Sequence, residues 1–441
     1  MWYSVKTFLL KFVPPSWLST YHLSLAVLSA LLYRDPSRGM IVIGVTGTKG
    51  KSTISNMLWE FLTDAGHTVG MTGTVNYRIG DEYFLNEDKM TMPGRFKLQS
   101  LMRRMKDNGC DIAIIETTSE GIKQWRHLGI DYDVCVFTNL SPEHIEAHGS
   151  FEYYKQAKME LFRHLGDLAV KEIDGKNVPR ASVINMDSDY AMDFKNIGNY
   201  KKITLGKGED NDLRMSDVNE TVGGTEFKVN GQSVFIPHLG EWNAYNCLTA
   251  MAAAMAVGAE LPQLIAKAPK LEPAPGRMEF IKEGQPFAVI VDYAYEPLSL
   301  GLLYTFCRKL VGEGNKLITL ISSTGGGRDV ARRPKNGEVA GKMCDFVIVT
   351  DEDPYDDDPM EIIDQVAEGV KQAGKTEGVD FWRELDRRHA VEKAFKLAKP
   401  GDLVILTAKG AEQKMVVAGG KKIDWDDREV AREELKSLLG K

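Results

Sequence analysis

MIVIGVTGTKGKST, residues 40–53, joins a β-branched run to a glycine loop and then to a lysine and two hydroxyls. Buried strands favour Ile and Val, and a glycine turn that opens a helix aims its backbone N–H groups at an anion. The stretch therefore predicts a strand, a phosphate-binding loop and a helix, in that order. Its spelling is not the common G-x-x-x-x-G-K-[ST], because the position five before Gly50 is Val45. Gly47, Thr48, Lys49, Gly50, Lys51, Ser52 and Thr53 are the candidate nucleotide-binding residues. Lys51 would reach the β- and γ-phosphates of ATP, and Ser52 or Thr53 would hold Mg²⁺.

Downstream, SNMLWEFLTDAG has helical spacing and a glycine stop, and CDIAIIETTS and DVCVFTNLS repeat the buried-strand signature. Strands of this kind alternating with helices predict an α/β fold, with a P-loop ATPase domain built on a mostly parallel sheet. Ligands of such sheets bind at the carboxyl ends of the strands, where Glu116 and the segment Asn139 to His148 fall. Residues 213–237 read as a small β insertion and HLGEWNAYNCLTAMAAAMAVGA as a long helix. Pro273, Pro275 and Gly276 mark a boundary, beyond which FAVIVDYA, KLITLIS, DFVIVTDE and DLVILTAKG predict a second, Rossmann-like α/β domain without a G-x-G-x-x-G turn. The expected organisation is an apolar arm over 1–40, a central ATP-binding domain over 41–272 and a C-terminal domain over 273–441.

The 441 residues carry a net charge of −7, which argues against nucleic acid as a partner. Five scattered cysteines without a C-x-x-C pair point to reduced thiols in the cytoplasm. Residues 1–33 are apolar but interrupted by Pro14 and Pro15, and no signal-peptide cleavage site stands out. Two readings stay open for this arm: a helix packed on the body, or an amphipathic anchor at a membrane surface. No coiled-coil pattern is present, which favours a monomer.

NLSPEHIEAHGSFEYYKQAKMELF places His144 and His148 four apart, on one helix face, near the carboxylate of Glu116. Together they read as a metal site. With this block in view, the chain resembles the Mur ligase family, and within it the enzymes that form the tripeptide of the peptidoglycan stem. The loop G-T-K-G-K-S over Gly47 to Ser52 matches the family spelling. So, in order, do HLGEWNAYN, PGRMEF, VDYAYEP, STGGGRDVARRP, TDEDPYDDDP, LDRRHAV and LTAKGAEQ. The resemblance implies an ATP- and Mg²⁺-dependent ligase of cell-wall synthesis. In that chemistry a substrate carboxylate becomes an acyl phosphate, which the amine of an incoming amino acid then attacks. It implies catalytic or metal-holding roles for Lys51, Ser52, Glu116, His144 and Lys158, the last matching a lysine that the family carbamylates. Nucleotide contacts are implied for Asn243, Asn246, Arg277 and Asp292, and contacts to a muramoyl-dipeptide acceptor for Thr91, Gln124 and Arg126.

The sequence also departs from the family. Only 43 residues precede Gly44, where Mur ligases carry a uridine-binding domain, so that domain is expected to be missing or replaced by the apolar arm. Glu120 and Tyr295 stand where histidines are usual, and the metal block reads Glu143-His144-Ile145-Glu146. Where the family has its D-N-P-R selector for diaminopimelate the stretch is here DEDPYDDDP, with Asp353 in the asparagine's place and Tyr355 in the arginine's. Tyrosine cannot offer a bidentate cationic fork to a distal carboxylate. The carboxylates Asp351, Glu352, Asp353, Asp356, Asp357 and Asp358 would instead favour a dibasic, lysine-like amino acid, with Arg328 on its α-carboxylate and Glu412 near its amine. Alternatives are a related ligase acting on a lipid-linked wall precursor, a pseudomurein precursor or a folyl-polyglutamate. From another class, a non-catalytic ATP-binding regulatory module stays open.

Overall fold

The computed structural model describes residues 15–86, 90–141, 150–221, 223–327 and 330–441, with side chains from residue 20 onward. The expectations placed on His144, His148 and Arg328 lie outside the described residues. The chain divides into two compact units, Met1–Glu272 and Pro273–Lys441.

The first unit is built on eleven strands. They are β1 (Ile41–Thr46), β2 (Val69–Thr72), β3 (Asn76–Ile79), β4 (Glu82–Leu85), β5 (Ile112–Glu116), β6 (Val134–Phe137), β7 (Ala181–Asn185), β8 (Lys201–Gly206), β9 (Leu213–Thr221), β10 (Gly224–Val229) and β11 (Gln232–Ile236). Their order is β11-β10-β9-β8-β7-β6-β1-β5-β2-β3-β4. The pairings between β9 and β2 are all parallel, and the hairpins at both ends are antiparallel. Residues 213–236 are therefore an extension of the main sheet, joined to it by the parallel β8–β9 pairing, and not a separate insertion.

The principal helices are α1 (Pro15–Leu32), α2 (Lys51–Asp64), α3 (Arg95–Asp107), α4 (Phe151–Asp167) and α5 (Glu241–Ala256). Strand side chains alternate between faces. Ile43, Val45, Ile114 and Val136 meet Met57, Leu58 and Phe61 of α2 and Leu248 and Met251 of α5. Val42, Ala113, Ile115 and Phe137 meet Leu98, Met102 and Met105 of α3 and Leu161 and Phe162 of α4. Each large apolar side chain buried in this way stabilises the fold by about 1.5–3 kcal/mol. Sandwiched between two helical layers, β1 can hold only its carboxyl end open to a ligand. Register puts Val45 beside both Glu116 and Val136, so the ends of β1, β5 and β6 converge.

The second unit has β12 (Glu279–Phe280), β13 (Ala288–Val291), β14 (Leu317–Ile321), β15 (Phe346–Thr350), β16 (Phe381–Glu384) and β17 (Leu403–Leu406) in the order β12-β13-β17-β14-β15-β16. All pairings except β12–β13 are parallel. Four of these strands follow from the sequence. β16 does not, because an edge strand reading FWRE buries only Phe381 fully. All five cysteines are buried free thiols. No described helix is long and apolar enough to cross a membrane.

One buried ion pair ties the second unit together. Arg387 donates through Nε and Nη2 to the two oxygens of Asp427 at 2.8 and 2.7 Å, and through Nη2 to the carbonyl of Thr407 at 2.7 Å. Both side chains are essentially inaccessible to water. Removing one partner leaves the other charge stranded. Asp427→Ala is expected to destabilise this unit by about 3–5 kcal/mol, read as a lower denaturation midpoint in urea.

Candidate active site

The loop after β1 is held from three sides. Gly50 precedes α2 with φ 85, a left-handed conformation that suits glycine. A Cβ on Gly47 would strike the Thr138 hydroxyl, and one on Gly50 would strike the side-chain oxygen of Asn246 from α5. The Thr48 and Lys49 amides donate to the carbonyl and side-chain oxygens of Asn139, each at 2.9 Å. The Thr138 hydroxyl donates to the Lys49 carbonyl at 2.8 Å. The loop is thus moulded by the end of β6 before any ligand arrives.

Positive charge gathers on it. Lys51 Nζ folds back to donate to the carbonyls of Gly47 and Thr48 at 2.9 and 3.0 Å. Lys158, buried on α4, donates to the same Gly47 carbonyl at 2.9 Å, its ammonium 4.7 Å from the centre of the Tyr154 ring. Two ammonium groups on one carbonyl make a site suited to a polyanion.

Glu116 ends β5 with no exposure to water. Its Oε2 accepts from the Ser52 hydroxyl at 3.1 Å and lies 3.0 Å from Thr74 Oγ1, while Oε1 accepts from the Thr74 amide at 3.2 Å. Thr74 Oγ1 is also 2.9 Å from Thr91 Oγ1. Burial raises the Glu116 pKa, opposed first by the charge of Lys51 and then by these hydrogen bonds. A buried carboxylate touching a hydroxyl at the start of a phosphate loop offers the hard oxygen donors that Mg²⁺ takes, so Ser52 and Glu116 fit that ion. Among the described residues no three His, Cys, Asp or Glu side chains cluster as a metal site.

The other expected residues of this unit fall into two groups. Asn246 donates to Asn243 Oδ1 at 2.9 Å, and both lie on α5, which presents Asn246 to the loop. Gln124 donates to Glu120 at 2.6 Å and accepts from Arg126 at 2.7 Å. Arg126 also donates to the Met92 carbonyl, beside Thr91. Burial and the neighbouring Arg95 lower the Arg126 pKa.

In the second unit, Asp292 accepts from the amides of Met278 and Ala294, both at 2.8 Å. The Arg277 guanidinium lies 4.5 Å from the centre of the Tyr293 ring. The Tyr293 hydroxyl donates to Glu412 at 2.9 Å, and Lys409 Nζ donates to Glu412 at 2.8 Å and Asp353 at 3.2 Å. Burial works against the Lys409 ammonium, but Glu412, Asp353 and Glu352 outweigh it and raise its pKa. Burial, with Asp353 beside it, pushes Glu352 up to about 7. Tyr355 sits at φ 54 with its ring over Gly326.

The chain matches the Mur ligase middle domain over residues 45–254 and the Mur ligase glutamate ligase domain over residues 276–410. It is 35% identical to the UDP-N-acetylmuramyl-tripeptide synthetase of Roseiflexus sp. (strain RS-1), covering 97% of this chain and 84% of that relative. It is also 35% identical to the UDP-N-acetylmuramoyl-L-alanyl-D-glutamate–2,6-diaminopimelate ligase of Bacillus cereus, over 94% of this chain and 82% of that one.

The chain belongs to the Mur ligase family.

A solved UDP-N-acetylmuramoyl-L-alanyl-D-glutamate–2,6-diaminopimelate ligase superposes with a TM-score of 0.61 at 27% identity, covering 91% of this chain and 79% of that one. The folylpolyglutamate synthase of Mycobacterium tuberculosis reaches 0.66 at 15% identity, over 95% of each chain, which speaks for the fold alone. Mur ligases are ATP-dependent acid–amino-acid ligases.

In each unit of this Mur ligase, taken by itself, several contacts escaped the sequence reading. Thr74, Thr138 and Asn139 shape the loop and orient Glu116, yet a threonine or asparagine after a strand looks like any turn residue. Lys409 lies inside LTAKGAEQ but gave no signal of reaching Asp353. The acidic residues around Tyr355 prove to be structurally engaged. Asp358 caps the helix that follows, accepting from Met360 N–H at 2.8 Å, and Asp357 pairs with Arg333 at 3.2 Å. Asp356 accepts from Gly419 N–H at 2.7 Å, and Glu352 from the Ser322 hydroxyl at 3.1 Å.

Two measurements follow from the geometry. Gly50→Ala would force a side chain into Asn246 and strain the turn, so nucleotide affinity is expected to fall at least about tenfold, roughly 1.4 kcal/mol, in a fluorescent-nucleotide titration. Glu116 has a raised pKa, so its ionisation costs stability as pH climbs above the ordinary carboxylate value of 4.5. Glu116→Gln removes that cost, because the hydroxyls of Ser52 and Thr74 can turn to accept. The variant is expected to melt above the wild type at pH 8 without nucleotide while losing Mg²⁺-dependent nucleotide binding, and the stability gain should vanish in acid.

Proposed function

We propose that this chain joins an amino acid to the free carboxylate of a muramoyl-dipeptide cell-wall precursor, consuming ATP and releasing ADP and phosphate. The observation that carries the reading is the gathering of Lys51, the buried Glu116 and Ser52 at one glycine loop, with the Lys158 side chain reaching the Gly47 carbonyl of the same loop. The names of the relatives support the acceptor, and the shared site chemistry supports the reaction.

In this account the acceptor carboxylate attacks the γ-phosphorus and one of its oxygens becomes the bridge of an acyl phosphate. Lys51 and the loop amides hold the phosphates in line and offset the charge that moves onto ADP. Ser52, Glu116 and His144 would hold Mg²⁺, which draws charge from the phosphate oxygens when bound. Lys158 carries a carbamate in the active protein, so that an ammonium beside the loop becomes an anion able to bind the metal. Asn243, Asn246, Arg277 and Asp292 are assigned to the nucleotide, and Thr91, Gln124 and Arg126 to the acceptor. Proximity of Arg95 to Arg126 supports the last, since two guanidinium groups favour an anionic peptide.

The amine then attacks the acyl carbon, and phosphate leaves with the oxygen it gained. Glu412 is assigned to the amine and Arg328 to the α-carboxylate of the incoming amino acid. Its side chain is proposed to be dibasic, lysine-like. Tyr355 supplies no cation for a distal carboxylate, and the six carboxylates of the turn outnumber Lys409 and Arg333, leaving it negative even after pairing.

The test is phosphate release with ATP, Mg²⁺ and UDP-N-acetylmuramoyl-alanyl-glutamate across a panel of amino acids, with products weighed by mass spectrometry. A new amide with lysine or ornithine and none with diaminopimelate is the expected result. An amide with diaminopimelate alone would remove the selector argument, and no amide with any amino acid would overturn the acceptor assignment.

A further inference from the structure

Two arginines of the first unit share one residue and pair with no carboxylate. Arg95 Nη2 donates to the Gln124 carbonyl, and Arg126 Nη2 donates to the Gln124 side-chain oxygen at 2.7 Å. Arg126 Nη1 also donates to the Met92 carbonyl. The two guanidinium groups are close enough that, after burial, the charge of Arg95 is the next cause lowering the Arg126 pKa. Glu120 acts on Arg126 in the opposite sense, yet its carboxylate accepts from Gln124 Nε2 at 2.6 Å and makes no ion pair with either arginine. Arg95 keeps donors in hand: its Nε is buried without a partner, and its Nη1 makes no hydrogen bond among the described residues. Like charges brought together in a partly buried place cost free energy. The arrangement therefore suits an anionic ligand that meets both.

Helix α1 fixes Arg95 from the other side. Arg95 Nη2 donates to His22 Nδ1 at 3.0 Å. A guanidinium cannot accept, so His22 accepts as a neutral ring, in keeping with the lowering of its pKa by burial and then by Arg95 and Arg126. The seat of α1 is close. Ala26, Ser29 and Ala30 face the body while Leu28, Leu31 and Leu32 stand exposed, an inverted packing for a helix facing water. Small inward residues let the backbone approach: a Cβ on Gly129 would press on Ala30 and on the Ala26 carbonyl. Gln99 of α3 donates to the Gly129 carbonyl at 2.8 Å, so the same turn joins α1 to the helix that Arg95 opens.

The arginines lie beside the phosphate loop. Thr91, the residue before Met92, has its Oγ1 2.9 Å from Thr74 Oγ1, which is 3.0 Å from Glu116 Oε2. An acceptor that ends in a glutamyl residue carries two carboxylates. One becomes the acyl phosphate. The other keeps its charge through both steps and would repel the phosphates unless cations hold it apart. We propose that Arg95 is a further acceptor-binding residue, taking with Arg126 the glutamyl carboxylate that does not react, and that His22 of α1 is the positioning residue that aims it. This role rests on the muramoyl-dipeptide acceptor proposed above. An amide at that carboxyl has no charge and one acceptor oxygen instead of two, so the arginine pair discriminates against it.

Kinetics with UDP-N-acetylmuramoyl-alanyl-glutamate and its two glutamyl monoamides test it, at saturating ATP and amino acid. The monoamide that still yields product carries its amide on the carboxyl that does not react. The wild type is expected to favour the diacid over that monoamide by roughly tenfold or more in kcat/KM. Arg95→Gln should raise KM for the diacid more than it lowers kcat, and bring the preference to within about threefold. Arg95→Lys, which keeps the charge without the fork, should retain part of the preference. His22→Leu should shift KM and preference in the same direction by less, with the thermal unfolding midpoint checking that α1 stays seated. Equal use of diacid and monoamide by the wild type, or an undiminished preference in Arg95→Gln, would overturn the proposal while leaving the ligase reading intact. No product from the diacid with any amino acid would instead remove the acceptor, and this role with it.

Discussion

A carboxylate with no access to water has to be held by hydrogen bonds or lose its charge, and the first unit is arranged around that constraint. Glu116 sits at the end of a central strand because β5 is buried on both faces, and its two oxygens are met by Ser52 from the loop and Thr74 from the turn after β2. The same strand order that buries Glu116 brings Thr138 and Asn139 against the loop from the other side of β1. Loop, carboxylate and lysines are therefore one construction. Shifting β5 by one residue against β1 would turn Glu116 away from Ser52.

The second unit solves a related problem with opposite charge. Arg387 and Lys409 are buried cations: Arg387 meets Asp427 of the last helix and the carbonyls of Asp351 and Thr407 after β15 and β17, and Lys409 meets Asp353 and Glu412 after the same two strands. Their partners fix the turn that carries Tyr355 and the strand end that carries Glu412. Carboxylates expected to face an incoming substrate thus also serve the fold. A residue can do both when the ligand's charge resembles that of the structural cation beside it.

Much of this was legible in the sequence, for identifiable reasons. Strands buried on both faces are continuous Ile and Val runs, so β1, β5, β6 and four strands of the second unit announce themselves. The glycine loop is legible because Gly50 requires a positive φ and because lysine and serine follow it. What escaped shares a cause: β16 is an edge strand with one buried side chain, Thr74 and Asn139 act through contacts far apart in sequence, and the joining of β8 to β9 is a matter of topology. The arm was legible as apolar, while its inverted packing needed the position of Gly129. His144, His148 and Arg328 lie outside the described residues, so the sequence remains their only witness.

The central claim is that the acceptor carboxylate is phosphorylated on this loop before the amide forms. It is tested most directly by running the reaction on an acceptor whose reacting carboxylate carries ¹⁸O and weighing the phosphate released. The account predicts that each phosphate released with amide formation takes one oxygen from that carboxylate, so the label appears in inorganic phosphate. Phosphate free of label, formed alongside amide, would contradict it.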